Sequence, residues 1–199
     1  MSPVYAILLL CLTYSSHSAP LTCEDLLRPL AQLDPQYLEG TWALVAGSVS
    51  SLSFMEKFKQ RLSSTASFSS STNDTSITWK RNMQNIDSKC HYVSYNISLE
   101  GSSFTFEMKN NVTATFTYTS CHDCILLNFE VPSEKRIHFY LFSQRRQLEQ
   151  EEIDEFKSQA ACLKMPEPAV MDPNTELCPQ EETTDQAAKT DEKTKEQGD

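Results

Sequence analysis

Cys121-His122-Asp123-Cys124 groups four side chains that could bind a metal, carry a redox couple or move a proton. A redox Cys-x-x-Cys sits at a helix N-terminus beside a βαβ unit, where the helix lowers the thiol pKa. That context is absent. A structural zinc site needs a second pair of ligands, and there is no second Cys-x-x-Cys. The expected arrangement is a small disulfide across a hairpin turn, with His122 and Asp123 at its tip. If reduced, Cys121 and Cys124 would instead offer two thiolates to a thiophilic metal. His91, His122 and His138 have no metal-ligand spacing on one element, and no nucleophile motif accompanies them. An enzyme is therefore not expected, and no metal or cofactor is assigned.

The other cysteines follow from the N-terminus. Met1–Ser18 reads as a secretory signal: an apolar stretch, Tyr5–Leu12, precedes small polar residues, with cleavage expected after Ser18. The stretch is much shorter than the ~20 residues of a membrane span, and no later stretch is apolar enough to cross. Cleavage removes Cys11 and leaves six cysteines, an even number suited to disulfides in an oxidising compartment. Asn73, Asn96 and Asn111 each open an Asn-x-Ser/Thr sequon, consistent with a secreted, extracellular glycoprotein. A net charge of −10 argues against nucleic acid and anionic membranes as partners. Part of that charge lies in the segment 179–199, where seven acidic residues face three lysines; it reads as an acidic disordered tail. The domain proper is then 19–178.

The stretch from Gly40 to Arg146 reads as eight short strands separated by turn residues. They are Thr41–Val49, Ser63–Ser71, Ser76–Met83, His91–Glu100, Ser103–Lys109, Val112–Ser120, Cys124–Val131 and Arg136–Ser143. No helices intervene in series, so the strands should be antiparallel. Eight such strands close into an up-and-down barrel able to hold one small ligand. An immunoglobulin-type sandwich would want distant cysteines around a core tryptophan, a spacing not found here. Two helices are predicted. Ser53–Leu62 would cover one barrel mouth with Phe54, Met55, Phe58 and Leu62. Glu149–Leu163 would pack on the barrel wall through Ile153, Phe156, Ala160 and Leu163.

Gly40-Thr41-Trp42 opens the first strand after a leucine-rich approach, Leu26–Leu38. This resembles the Gly-x-Trp motif of the lipocalins. Within that family the chain is similar to α1-acid glycoprotein and apolipoprotein M, and to the saxitoxin-, tetrodotoxin- and tributyltin-binding proteins. The similarity runs from Leu21-Thr22-Cys23 through Lys89-Cys90-His91-Tyr92 to Glu155-Phe156-Lys157 and Cys162-Leu163. It implies an all-β, eight-stranded antiparallel up-and-down barrel with a C-terminal α-helix on its wall. It implies that Arg145 stacks over Trp42 to close one end. It also implies the pairs Cys23–Cys162 and Cys90–Cys178. The family's second motif has no closer counterpart than Glu130–Arg136. The implied function is carriage of a small hydrophobic or amphipathic molecule, with steroids, lipophilic amines, lipids and toxins as candidate classes. The rival reading is an immune-modulating interaction protein acting through its surface and glycans. A monomer is expected.

The lining follows from sugar and alternation. A glycan on Asn96 points outward, so period two sends Val93, Tyr95 and Ile97 inward. Phe104, Phe106 and Met108 share one face, and Phe116 and Tyr118 face in if Asn111 faces out. On the last strand, His138, Tyr140 and Phe142 face in, while Ile137, Phe139 and Leu141 face the helix. This lining is aromatic with few polar points, and it contains no acidic anchor. The acidic field of the whole chain and the aromatic faces then favour a cationic or neutral guest.

Overall fold

The computed structural model describes residues 21–31, 33–70, 77–106 and 112–180. The signal segment, nearly all of the tail, Asn73, Met108 and Asn111 lie outside the described residues.

The chain enters through a one-turn helix, α1 (Cys23–Leu26), held by a reciprocal cap between Thr22 and Asp25. A 3-10 turn (Pro35–Leu38), with Asp34 accepting from the Gln36 amide, leads to Gly40. Gly40 has φ +110°, a conformation that favours glycine. Strand β1 (Gly40–Val49) follows, then helix α2 (Leu52–Lys59). The rest of the barrel is β2 (Arg61–Ser70), β3 (Ile77–Asn85), β4 (Cys90–Glu100), β5 (Ser103–Phe106), β6 (Thr113–Thr117), β7 (Cys124–Val131) and β8 (Arg136–Ser143). Each strand pairs antiparallel with its sequence neighbour, and β8 returns to pair with β1, closing an eight-stranded barrel. A two-residue strand, β9 (Ala169–Val170), adds to β1 beside a bulge between Leu44 and Ala46.

Helix α3 (Gln150–Cys162) lies on the outer wall. Its first turn is tied by the Glu149 amide donating to the Glu152 carboxylate at 2.8 Å. Ile153, Phe156 and Ala160 pack on Val45, Leu126 and Leu141, and the Phe156 ring stacks on Phe139 at 5.2 Å. Gln159 Nε2 donates to the carbonyls of Leu26 and Tyr118, joining helix, N-terminal segment and barrel. The inner cluster is separate and runs from Leu38 and Trp42 through Phe104 and Phe116 to Phe129 and Tyr140. Alternate positions of β1, β7 and β8 thus serve two cores, the pattern expected of a barrel with a helix on one side.

Three disulfides form: Cys23–Cys162, Cys90–Cys178 and Cys121–Cys124. The first two span 139 and 88 residues.

Several boundaries differ from expectation, most by one residue; the larger differences have visible causes or extents. Helix α2 stops at Lys59, and Leu62 belongs to β2, which starts at Arg61 where that residue pairs with Asn85 of β3. Strand β3 continues to Asn85. Strand β6 ends at Thr117, where Tyr118 leaves the barrel to bond the N-terminal segment through the Arg28 carbonyl.

Candidate ligand-binding site

The two barrel ends are built differently. At the closed end Trp42 is fully buried, and its indole N–H donates to the Leu38 carbonyl at 2.9 Å. Its ring neighbour is Tyr37, at 5.3 Å, whose hydroxyl donates to the His122 carbonyl at 2.7 Å. Arg145, expected over Trp42, instead bonds both Asp123 and Glu152, each at 2.8 Å from Nη2. Two carboxylates within reach outweigh the attraction of one indole face. This pairing holds the Asp123 carboxyl below its ordinary range and raises the Arg145 guanidinium above its own. The Cys121–Cys124 turn is therefore a brace for the closed end. Its two sulfurs are bonded to each other, which removes them from the set of metal ligands.

The open end carries a cavity of about 490 Å³. Its apolar wall includes Trp79, Tyr95, Phe106 and Phe129, and its polar wall includes Arg61, Arg81, Arg136 and His138. Arg81 is only 8% exposed. Its Nε donates to the Ser64 hydroxyl at 3.1 Å, while its guanidinium carbon lies 4.8 Å from the Tyr140 ring centre. Burial and the neighbouring Arg61 push Arg81 down to about 10. Arg81 Nη2, Arg61 Nε, Arg61 Nη1 and Trp79 Nε1 are buried without a hydrogen-bond partner. Arg136 is ion-paired with Glu134.

The histidine fixes the polarity further. Arg136 Nε donates to His138 Nε2 at 2.8 Å, which leaves the His138 proton on Nδ1, 2.7 Å from the Tyr140 hydroxyl oxygen. Burial first, then Arg136, Arg81 and Arg61, push His138 down to about 3, so the ring is neutral at physiological pH. Tyr140 accepts from His138, and its own hydrogen is available to an acceptor. The polar pole thus offers donors in search of an acceptor.

Tyr95, Phe106, His138 and Tyr140 line this cavity. Ile97, Phe104, Phe116 and Phe142 lie in the tightly packed inner core, each no more than 1% exposed, and Val93 packs against that core half-buried. Tyr118 lies away from the cavity, with the Arg28 guanidinium 3.7 Å from its ring centre. The expectation of a cationic or neutral guest rests on the charge of the whole chain, whereas the cavity has its own lining. Among the described residues, three guanidinium groups line the cavity against one carboxylate, Glu134, already paired. Two of the three were legible. Period two from Trp79 turns Arg81 inward, and period two from His138 does the same for Arg136. Arg61 was hidden because it stands where helix α2 gives way to β2.

The family model of the ApoM domain matches residues 3–182, and the chain belongs to this family, a lipocalin family. Its members are typically binding and transport proteins for hydrophobic ligands. Among solved structures, the chain is similar to the siderocalin Ex-FABP, described as functioning through dual ligand specificities. The TM-score is 0.60 at 13% identity, covering 73% of this chain and 96% of that one. That likeness concerns the fold. No curated protein matches the sequence. Among the described residues, no helix is long and apolar enough to cross a membrane.

Proposed function

We propose that this protein is a secreted carrier of a small amphipathic molecule with an apolar body and an acidic head, a carboxylate or phosphate. The observation that carries this reading is the set of unpartnered donors on Arg61 and Arg81 at one pole of an aromatic cavity. A buried guanidinium N–H without an acceptor is costly, and an oxyanion relieves that cost while the aromatic wall covers the body. Such chemistry suits carriage rather than catalysis, and of the three sequon asparagines Asn96, exposed on β4, is the one among the described residues.

Competition for one fluorescent probe tests it, using a long-chain fatty acid, a lipophilic amine and a steroid. The acid is expected to displace the probe at the lowest concentration at neutral pH, and Arg81→Met to weaken it about 10- to 100-fold. Displacement led by the amine would refute the acidic head.

A further inference from the structure

A second cavity of about 460 Å³ opens beside the first, under α2 and the β3–β4 turn. Arg61, His138 and Tyr140 belong to both linings. They form a partition with the ring of Phe58, which stacks on Tyr140 at 5.4 Å and lies 5.1 Å from the Arg61 guanidinium carbon. The partition continues at the rim, where Arg136 caps the Phe54 ring at 3.7 Å. The two chambers differ in chemistry. The first is walled by Trp79, Phe106 and Phe129, whereas the second presents Lys57, Gln60, Asn85 and Asp87.

We infer that the ligand is a phosphodiester amphiphile, whose apolar chain occupies the aromatic chamber and whose small polar substituent occupies the second chamber, with the phosphate at the partition on Arg61. This deepens the reading of an acidic head and rests on it. A carboxylate ends a molecule, so a fatty acid bound at Arg61 fills one chamber only. A phosphodiester is acidic in its middle: two oxygens carry the charge, and two ester arms leave in different directions. That is the connectivity an anion needs when Arg61, which binds it, lines both chambers. Lys57 and Asp87 in one chamber offer a cation and an anion together, which suits a neutral or zwitterionic substituent better than a second acid.

The test compares oleoyl lysophosphatidic acid, a monoester, with oleoyl lysophosphatidylglycerol, a diester with the same chain, by displacement of one probe from the full-length protein. The expected result is a diester bound at least about tenfold tighter than the monoester, the worth of one or two added hydrogen bonds. Asn85→Trp, which fills the second chamber, and Gln60→Leu, which removes an amide from it, should each bring the affinity ratio towards one. Circular dichroism reports whether each variant is folded, and Gln60→Leu decides if Asn85→Trp is not. Equal affinities in the unaltered protein, or a ratio that survives the folded variants, would overturn the two-chamber inference alone. If neither lipid displaces the probe, the acidic-head reading falls and this inference with it.

Discussion

Arg81 and Arg61 are placed where a folded chain gains little from a charge. Neither has a carboxylate partner among the described ion pairs, and Arg81 is buried between Ser64 and the rings of Tyr140 and Phe142. Removing an uncompensated buried charge commonly stabilises a protein. Arg81→Met should therefore raise the melting temperature of the ligand-free protein while weakening an acidic ligand, a pair of effects read by calorimetry and by titration. A purely structural arginine would lower both. His138 makes a separate prediction through pH. Its folded pKa is about 3, below the unfolded value of 6.5, so the unfolded chain binds the extra proton in between. Its contribution to stability is complete above about pH 6.5 and is lost as pH falls towards 3. Urea unfolding should show stability falling by up to about 1.4 kcal/mol per pH unit from this group in that window. A His138→Gln variant should have a shallower slope.

Between elements, Gly47 decides how closely α2 can cover the mouth. A Cβ there would sit 2.4 Å from Phe58 Cζ and 2.7 Å from Tyr140 Cδ1. Neither ring can yield easily, because the two stack on each other. Gly47→Ala should cost about 1–3 kcal/mol by overpacking and alter ligand affinity, since Phe58 and Tyr140 both belong to the partition; unchanged binding would show that α2 does not shape the site. On the other wall, α3 depends on Phe156, buried against Phe139. Phe156→Ala should cost about 3–5 kcal/mol in denaturant unfolding, with no direct effect on the cavity, because the ring belongs to the outer cluster.

For the molecule as a whole, the outer charge and the inner charge oppose each other. The chain carries −10, yet the cavity lining is rich in guanidinium groups. An acidic ligand is repelled at long range and attracted at short range. Its association rate should rise with salt, which screens beyond a Debye length of ~10 Å at 0.1 M. Deleting the segment 181–199, which holds seven acidic residues and three lysines, should move the stopped-flow rate in the same direction. The two long-range disulfides tie the terminal segments to the barrel. In the chain-entropy model each contributes about 5 kcal/mol by restricting the unfolded chain.

Much of the architecture was legible before any coordinates. Alternation along β4 and β8 separates inner from outer residues because a strand's side chains reverse at every residue. The stripe Ile153, Phe156, Ala160 marks a helix docked on one side by the same kind of local periodicity. The pairs Cys23–Cys162 and Cys90–Cys178 came with family resemblance, not with spacing. What the tertiary structure alone decided concerns depth, ends and partners. Alternation says that Phe116 and Phe142 point inward, but only the packed barrel shows that they are core beneath the cavity. The strand-like run to Tyr118 says nothing of Arg28, which takes that ring from the outside. Arg145 was matched to Trp42 by its place after the last strand, whereas Asp123 and Glu152 reach it only when the barrel closes. The charge that a guest meets is decided in the same way. Net charge is a property of composition, but a ligand meets the few groups that folding buries beside it. Folding placed Arg61 and Arg81 there.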